Sequence, residues 1–103
     1  MLNDNELIEA LAKSPMPRIT KEFMESRIKS VEFDHDWAET VTVCQIMLDN
    51  GYSVRGESAC VNPENYNQEI GERIAYDNAF NKLWPLFGFF LAESQYQMRK
   101  SVV

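Results

Sequence analysis

A β-hairpin signal in the first half of the chain constrains its fold most strongly. Residues 40–48 are mostly β-branched and apolar, which favours a strand, and Asp49-Asn50-Gly51 follows them directly. Asn-Gly favours a two-residue type I′ turn, because both residues tolerate positive φ. The sequence therefore predicts strands near 39–48 and 52–61, joined by Asn50 and Gly51.

A two-residue loop also decides which side chains of the hairpin share a face. One face, which we expect to be the core, receives Val41, Val43, Met47, Tyr52, Val54 and Cys60. The opposite face receives Thr42, Cys44, Ile46, Leu48, Arg55, Glu57 and Ala59. The Cys44-Ile46-Leu48 strip on this second face is apolar and needs a cover, either an N-terminal helix or a second subunit.

Helix and strand signals flank the hairpin. Thr20 is a helix cap, with Ile19 and Met24 placed as a hydrophobic staple, and the helical spacing continues for about three turns. A period of two then predicts a strand near 30–35. After the hairpin, Asn62-Pro63 and Asn65 are two successive starts for a helix near 64–83.

The predicted C-terminal helix has two distinctive parts. Gly71, Ala75 and Ala79 form a small-residue stripe that allows a close approach to a sheet or a second helix. Trp84-Pro85 predicts a kink or break, and the segment beyond it is too apolar for a solvated face. We therefore expect this last helical piece to be buried or to form an interface.

With 103 residues the chain has room for one core. The predicted class is α+β: a small three-stranded antiparallel sheet packed against one long or kinked C-terminal helix, with short N-terminal helices. We expect an N-terminal helical arm at 1–17, started by Asn3 and Glu6, a single domain at 18–96 and a flexible tail at 97–103.

Composition excludes several classes of function. With 16 acidic and 10 scattered basic residues, the net charge of −6 argues against direct nucleic-acid binding. The N terminus lacks a secretion signal, and Pro85 and Gly88 interrupt the longest apolar run, so we expect no membrane association. Two cysteines make no disulfide framework, which predicts a cytoplasmic protein with reduced thiols.

The chemistry-bearing residues predict no catalytic or metal site and no cofactor. Asp34-His35-Asp36 contains the chain's one histidine, and such residues serve in metal sites and proton relays. Acids adjacent to a single histidine match metal-ligand spacing poorly, so we interpret the segment as a solvated loop. Cys44 and Cys60 lie in apolar strand contexts that are typical of inert packing thiols.

The corner where the hairpin leads into the helix is a candidate site for a small anion. Free amides at a helix N terminus suit anionic ligands, and arginines add charge-assisted bonds. The candidate ligand-binding residues are Arg55, Glu57, Ser58, Asn65, Tyr66 and Arg73. The alternative is that the asparagines cap, Tyr66 packs and the arginines pair with nearby acids.

The apolar residues exceed what one face of a three-stranded sheet readily hides. We therefore expect self-association, most simply a two-fold homodimer. The candidate interface residues are Ile46, Leu48, Phe87, Phe89 and Phe90.

From about Ile19 to Ala92, the chain resembles a family of small tailed-phage proteins named after a gene-49/gene-66 product. The matching residues are Thr42-Val43-Cys44, Asn50-Gly51-Tyr52, Gly56-Glu57-Ser58-Ala59-Cys60-Val61, Asn62-Pro63-Glu64-Asn65-Tyr66, Glu69-Ile70-Gly71, Ile74-Ala75, Asn78-Ala79 and Leu83-Trp84-Pro85-Leu86. The family has Glu-Gly-Tyr where this chain has Phe87-Gly88-Phe89, which makes the final helix more apolar.

The resemblance implies a phage-encoded accessory protein that acts in the cytoplasm of the infected bacterial host. We expect a non-enzymatic binding protein that modulates a host factor or counters a host defence. The alternative is a protein that sequesters a small anionic ligand such as a signalling nucleotide. Its partner is accordingly either a host bacterial protein or a nucleotide-like ligand.

Overall fold

A computed structural model describes residues 1, 3–6, 18–36 and 38–101. Three antiparallel strands form one sheet in the order β1-β2-β3, with β1 at Ile28–Asp34, β2 at Val41–Leu48 and β3 at Ser53–Ala59. The helices are α1 (Lys21–Ser26), α2 (Gln68–Asn81) and α3 (Leu83–Ser101), and a 3₁₀ helix spans Pro63–Asn65. Residues 4–6, within the described part of the N-terminal arm, are also helical. The predicted α+β class and all three strands are confirmed.

The helix starts follow their capping residues. Thr20 accepts a hydrogen bond from the amide of Phe23, as predicted, but α1 ends at Ser26 because the chain enters β1 two residues later. Asn62 caps the 3₁₀ helix. The cap of α2 is Asn67, which accepts from Ile70 N at 3.1 Å, so the prediction that the helix starts from Asn65 is wrong.

The hairpin loop has three residues instead of two. Met47 pairs with Ser53 and Val41 with Ala59, and the Leu48 amide donates to the Tyr52 carbonyl at 2.8 Å. Gly51 has φ +89°, and no other described residue has positive φ. This register and the positive φ are those of a three-residue hairpin loop whose last residue, Gly51, has left-handed backbone. The predicted two-residue type I′ turn is therefore wrong.

This one-residue shift turns the predicted core face of β2 to the outside. The buried side of β2 is Thr42, Cys44, Ile46 and Leu48, whereas Val41, Val43 and Met47 are only half-buried on the opposite side. On β3 the expectation holds, because Val54 is buried and Arg55 is exposed. The Cys44-Ile46-Leu48 strip does need a cover, and α2 supplies it from within the chain.

The small-residue stripe of α2 lies directly on the sheet. Ala75 and Ala79 are fully buried, and a Cβ placed on Gly56 would lie 2.1 Å from the backbone nitrogen of Ala79. Gly71 approaches Thr42 in the same manner, with a Cβ-to-Oγ1 distance of 2.8 Å. The absence of side chains at these positions lets the helix pack against β2 and β3 at backbone distance.

Arg27 connects α1, the hairpin loop and α3. Its Nε donates to both carboxylate oxygens of Asp49, at 2.9 and 2.7 Å, and its guanidinium lies 5.9 Å from the ring centre of Phe87. Phe87 also meets Phe23 edge-on, with ring centres 5.9 Å apart. The hydrogen bond between the charged groups raises the pKa of Arg27 and lowers the pKa of Asp49.

The C-terminal segment breaks at Lys82, two residues before the predicted Trp84-Pro85 kink. α2 ends at Asn81, Lys82 is its C-cap, and Pro85 lies in the first turn of α3, where proline is tolerated. α3 then continues to Ser101, through most of the segment that the sequence predicts to be a flexible tail.

In the predicted N-terminal arm, the side chain of Asn3 accepts a hydrogen bond from the Glu6 amide at 2.8 Å. Residues 7–17 of the arm and Trp37 lie outside the described part of the chain.

Candidate functional site

The most connected polar cluster in the described ranges is built around His35, just beyond the end of β1. Its Nδ1 lies 3.2 Å from the Tyr66 hydroxyl and 3.3 Å from Thr42 Oγ1, and its Nε2 lies 3.0 Å from Glu72 Oε1. Tyr66 and Thr42 are themselves 2.9 Å apart. His35 is therefore held in a network, and the interpretation of this segment as a merely solvated loop is wrong for the histidine.

Four separate elements position this cluster. Thr42 belongs to the buried side of β2, Tyr66 follows the 3₁₀ helix, and Glu72 lies in the first turns of α2. The missing side chain at Gly71 makes room for Thr42, because a Cβ there would lie 2.8 Å from Oγ1 and 3.5 Å from the Tyr66 ring. Sequence reasoning missed Thr42 and Glu72 because they lie 7 and 37 positions from His35.

The geometry of the cluster favours a structural role over a catalytic one. A histidine between a carboxylate and hydroxyls has the components of a proton relay. Both ring nitrogens are, however, engaged by side chains of the same chain, and Thr42 is fully buried and inaccessible to a substrate. The network ties the β1–β2 connection to α2 and supplies the partner that a buried hydroxyl requires. Among the described residues, no three acidic, histidine or cysteine side chains converge as a metal site would require.

The structure does not bring the six candidate anion-binding residues together. Arg55 and Glu57 lie on the outer face of the sheet, opposite α2. Arg73 lies on the solvent side of α2, where its Nε donates to Asp77 at 3.1 Å. The two arginines are thus separated by the sheet, and anion binding by this set stays a prediction.

The other three candidates lie nearer to each other. Ser58 faces Gly71, and Tyr66 belongs to the His35 cluster. Asn65 is exposed at the end of the 3₁₀ helix. Arg55 instead borders a depression of about 490 Å³ on the outer side of the sheet, which it shares with Glu32 and Asp36 among others.

The candidate interface residues divide into two groups. Ile46, Leu48 and Phe87 are buried within the chain, at 0%, 4% and 5% exposure, so they are not available to a partner. Phe89 and Phe90 are 69% and 53% exposed on α3. The prediction of self-association therefore depends on these two residues and their surroundings alone.

β1 carries a second exposed apolar feature that the sequence reasoning did not single out. Val31 and Phe33 pair with Ile46 and Cys44, so their side chains are on the same side of the sheet as α2. Because α2 packs mainly on β2 and β3, both residues are 38% exposed. β1 is also an edge strand, since only β2 pairs with it among the described residues.

Cys44 and Cys60 are both free, and burial raises the pKa of the Cys44 thiol to about 11, which makes it a poor nucleophile at neutral pH. Burial also raises the pKa of Tyr76.

In the described part of the chain, no helix is both long and apolar enough to cross a membrane.

A comparison with known proteins assigns the chain to a family. It belongs to the Phage protein (N4 Gp49/phage Sf6 gene 66) family, whose model matches residues 19–95. The matched span contains the whole sheet, α2 and α3 as far as residue 95, which confirms the resemblance drawn from the motifs. No curated protein and no solved structure matches the chain.

Proposed function

We propose that this phage accessory protein acts in the cytoplasm of the infected bacterium, where it binds a host protein without catalysing a reaction. The observation that carries this proposal is the edge of β1 that no described strand pairs with, where Val31 and Phe33 are accessible on one face. Binding there would modulate a host factor or block a defence protein. The membership in a phage family supports the biological setting.

The edge of β1 suits an extended segment of a partner chain. An edge strand offers unpaired backbone groups, and a peptide that adds a further strand gains main-chain hydrogen bonds along its length. Side chains of the added strand alternate between the two faces of the sheet. Apolar residues would therefore lie beside Val31 and Phe33, and basic residues beside Glu32, which is exposed on the opposite face.

The proposal is tested by capture from infected cells followed by reconstitution. Tagged wild-type protein, a Val31→Lys/Phe33→Lys double variant and an Ile70→Ser control are purified from infected cells, and bound proteins and small molecules are identified by mass spectrometry. Ile70 is a suitable control because it is 60% exposed on α2, away from β1. We expect one host protein with the wild type and the control, lost with the double variant, and direct binding of that protein once purified.

Two outcomes would contradict the proposal. A co-purified nucleotide without any protein would favour the alternative, in which the chain sequesters a small anionic ligand. A host protein that binds the double variant as well as the wild type would show that β1 is not the docking strand. Circular dichroism of both variants separates lost binding from lost folding.

A further inference from the structure

A depression on the outer side of the sheet, beside β3, combines two basic side chains with two valines. It has a volume of about 280 Å³ and is lined by Val41, Val43, Arg55, Gly56, Glu57 and Lys82. Because Gly56 has no side chain, the depression reaches the backbone of β3 at this point. Lys82 is the C-cap of α2, and its exposed side chain borders the depression although α2 packs on the opposite side of the sheet.

The two cations of this depression have no partner within the described part of the chain. Neither Arg55 nor Lys82 takes part in any ion pair between described residues, whereas Arg27 and Arg73 are each paired with an aspartate. Even with the Glu57 carboxylate beside them, Arg55 and Lys82 give the depression a net positive charge. This local charge stands out in a chain whose net charge is −6.

The edge of β3 adds backbone donors. Asn78 Nδ2 donates to the Glu57 carbonyl at 2.8 Å, so the backbone groups of Glu57 point away from β2. In an antiparallel ladder this direction alternates along the strand, so the amide of Arg55 points the same way as that of Glu57. Neither amide has a backbone partner among the described residues. An anion at this edge would therefore meet amide donors as well as the two cations.

We propose that this depression binds a ribonucleoside monophosphate. The phosphate lies between Arg55 and Lys82, where both cations form charge-assisted hydrogen bonds with its oxygens. The ribose hydroxyls donate to Glu57, since an ionised carboxylate only accepts hydrogen bonds. The base covers the half-buried side chains of Val41 and Val43.

The lining residues narrow the class of ligand. Two cations and the edge amides match the charge of a phosphate better than that of a single carboxylate. The volume of about 280 Å³ is just below the roughly 300–1,000 Å³ of typical ligand pockets, which suits one base and one phosphate rather than a dinucleotide. Arg55 also borders the larger depression of about 490 Å³, but there the carboxylates of Glu32, Asp34 and Asp36 repel an anion.

This inference goes beyond the proposed function and is tested without any host protein. The depression lies beside β3 on the outer side of the sheet, whereas Val31 and Phe33 of β1 are on the same side as α2. A nucleotide and a host segment would therefore occupy different surfaces. Binding of the nucleotide and capture of a host protein can succeed or fail separately.

A heteronuclear NMR titration of the purified protein detects weak as well as tight binding and locates it. The probes are the common ribonucleoside monophosphates, with adenosine, inorganic phosphate and phenylalanine as comparison ligands. We expect one or more nucleotides to shift the amide signals of Val43, Arg55, Gly56 and Glu57 and to bind at least about tenfold more tightly than any comparison ligand. The absence of such shifts at millimolar nucleotide would overturn the proposal, and so would a comparison ligand that binds as tightly as the nucleotide.

Charge-removing variants test where the phosphate binds. Arg55→Gln and Lys82→Gln should each weaken nucleotide binding roughly tenfold or more, because each removes a hydrogen bond between charged groups. Lys100→Gln is the matched control, since Lys100 is exposed in the last turn of α3 and the variant loses the same charge. The control should bind like the wild type, and unchanged signals from the core show that each variant is folded. Wild-type affinity in both Arg55→Gln and Lys82→Gln would overturn the proposal.

Discussion

Gly56 shows at the scale of one residue how the sheet and the helix are matched. Any side chain at this position would meet backbone atoms, with Ala79 N at 2.1 Å and Ala75 O at 2.5 Å from the added Cβ. Backbone atoms in a helix cannot move aside as the end of a flexible side chain does. The position therefore sets the distance between β3 and α2.

We expect Gly56→Ala to destabilise the protein by roughly 3 kcal/mol, at the upper end of the usual cost of overpacking. Gly88→Ala is the matched control, because Gly88 is in α3 and its Cβ would meet nothing within 4 Å. Alanine there should be neutral or stabilise by up to about 1 kcal/mol. Urea denaturation measures both, and equal midpoints for the two variants would mean that α2 does not approach β3 this closely.

The two cysteines should differ in reactivity. At mildly alkaline pH a thiol reagent should modify half-buried Cys60 rapidly and fully buried Cys44 only on unfolding. Cys60→Ser should then abolish the rapid phase. Rapid modification of two thiols in the folded wild type would contradict the burial of Cys44.

Cys44 also predicts how stability depends on pH. Its thiol has a pKa of about 11 in the folded protein and about 8.5 when unfolded, so the folded state holds this proton more tightly. The contribution of the Cys44 thiol to the free energy of unfolding is fully present below about pH 8.5 and is lost as the pH rises towards about 11. Denaturation across this window should show a shallower decline for Cys44→Ala than for the wild type, and identical slopes would contradict the assignment.

At the scale of elements, the hairpin loop depends on Gly51. Its φ of +89° is unfavourable for residues with a Cβ, and most of all for β-branched ones. Gly51→Val should destabilise by more than about 1 kcal/mol, while Gly51→Asn should cost less because asparagine tolerates left-handed backbone. Denaturant midpoints compare the two variants, and an unchanged midpoint for valine would exclude this loop geometry.

The His35 cluster makes a second prediction at this scale. Tyr66→Phe removes the hydroxyl that lies 2.9 Å from buried Thr42 Oγ1 and 3.2 Å from His35. A buried polar group that loses a partner costs about 1–3 kcal/mol. Tyr96→Phe, at a position 50% exposed on α3, should change the unfolding free energy very little. If the two variants had equal stability, the cluster would not tie β2 to the 3₁₀ helix.

For the whole molecule, the helix α3 determines the shape. The chain measures 61 × 35 × 18 Å and has a Cα radius of gyration of 17.7 Å, whereas a compact domain of this length has about 13 Å. Only Leu83 and Phe87 of α3 are buried, so the helix projects from the body after its first turns. Small-angle scattering of the protein at low concentration should give a radius of gyration near 18 Å, and a value near 13 Å would mean that α3 folds back.

The sequence by itself determined the elements, because their signals are local. Thr20 and Asn62 cap helices through their own side chains, alternation marks β1, and Asp49-Asn50-Gly51 ends β2. The small-residue stripe of α2 and the family membership could also be predicted from the sequence, since each depends on spacing along the chain. These features need no knowledge of distant neighbours.

Only the tertiary structure decided which face of β2 is buried. Both faces of this strand carry apolar residues, so the pattern does not choose between them, and Asn-Gly fits two- and three-residue loops alike. The choice follows from α2, which packs closely on the side of the sheet that Gly56 faces, and that face of β3 pairs with Cys44 and Ile46. The His35 cluster depends on the same docking, because Thr42 and Glu72 meet only when β2 and α2 pack together.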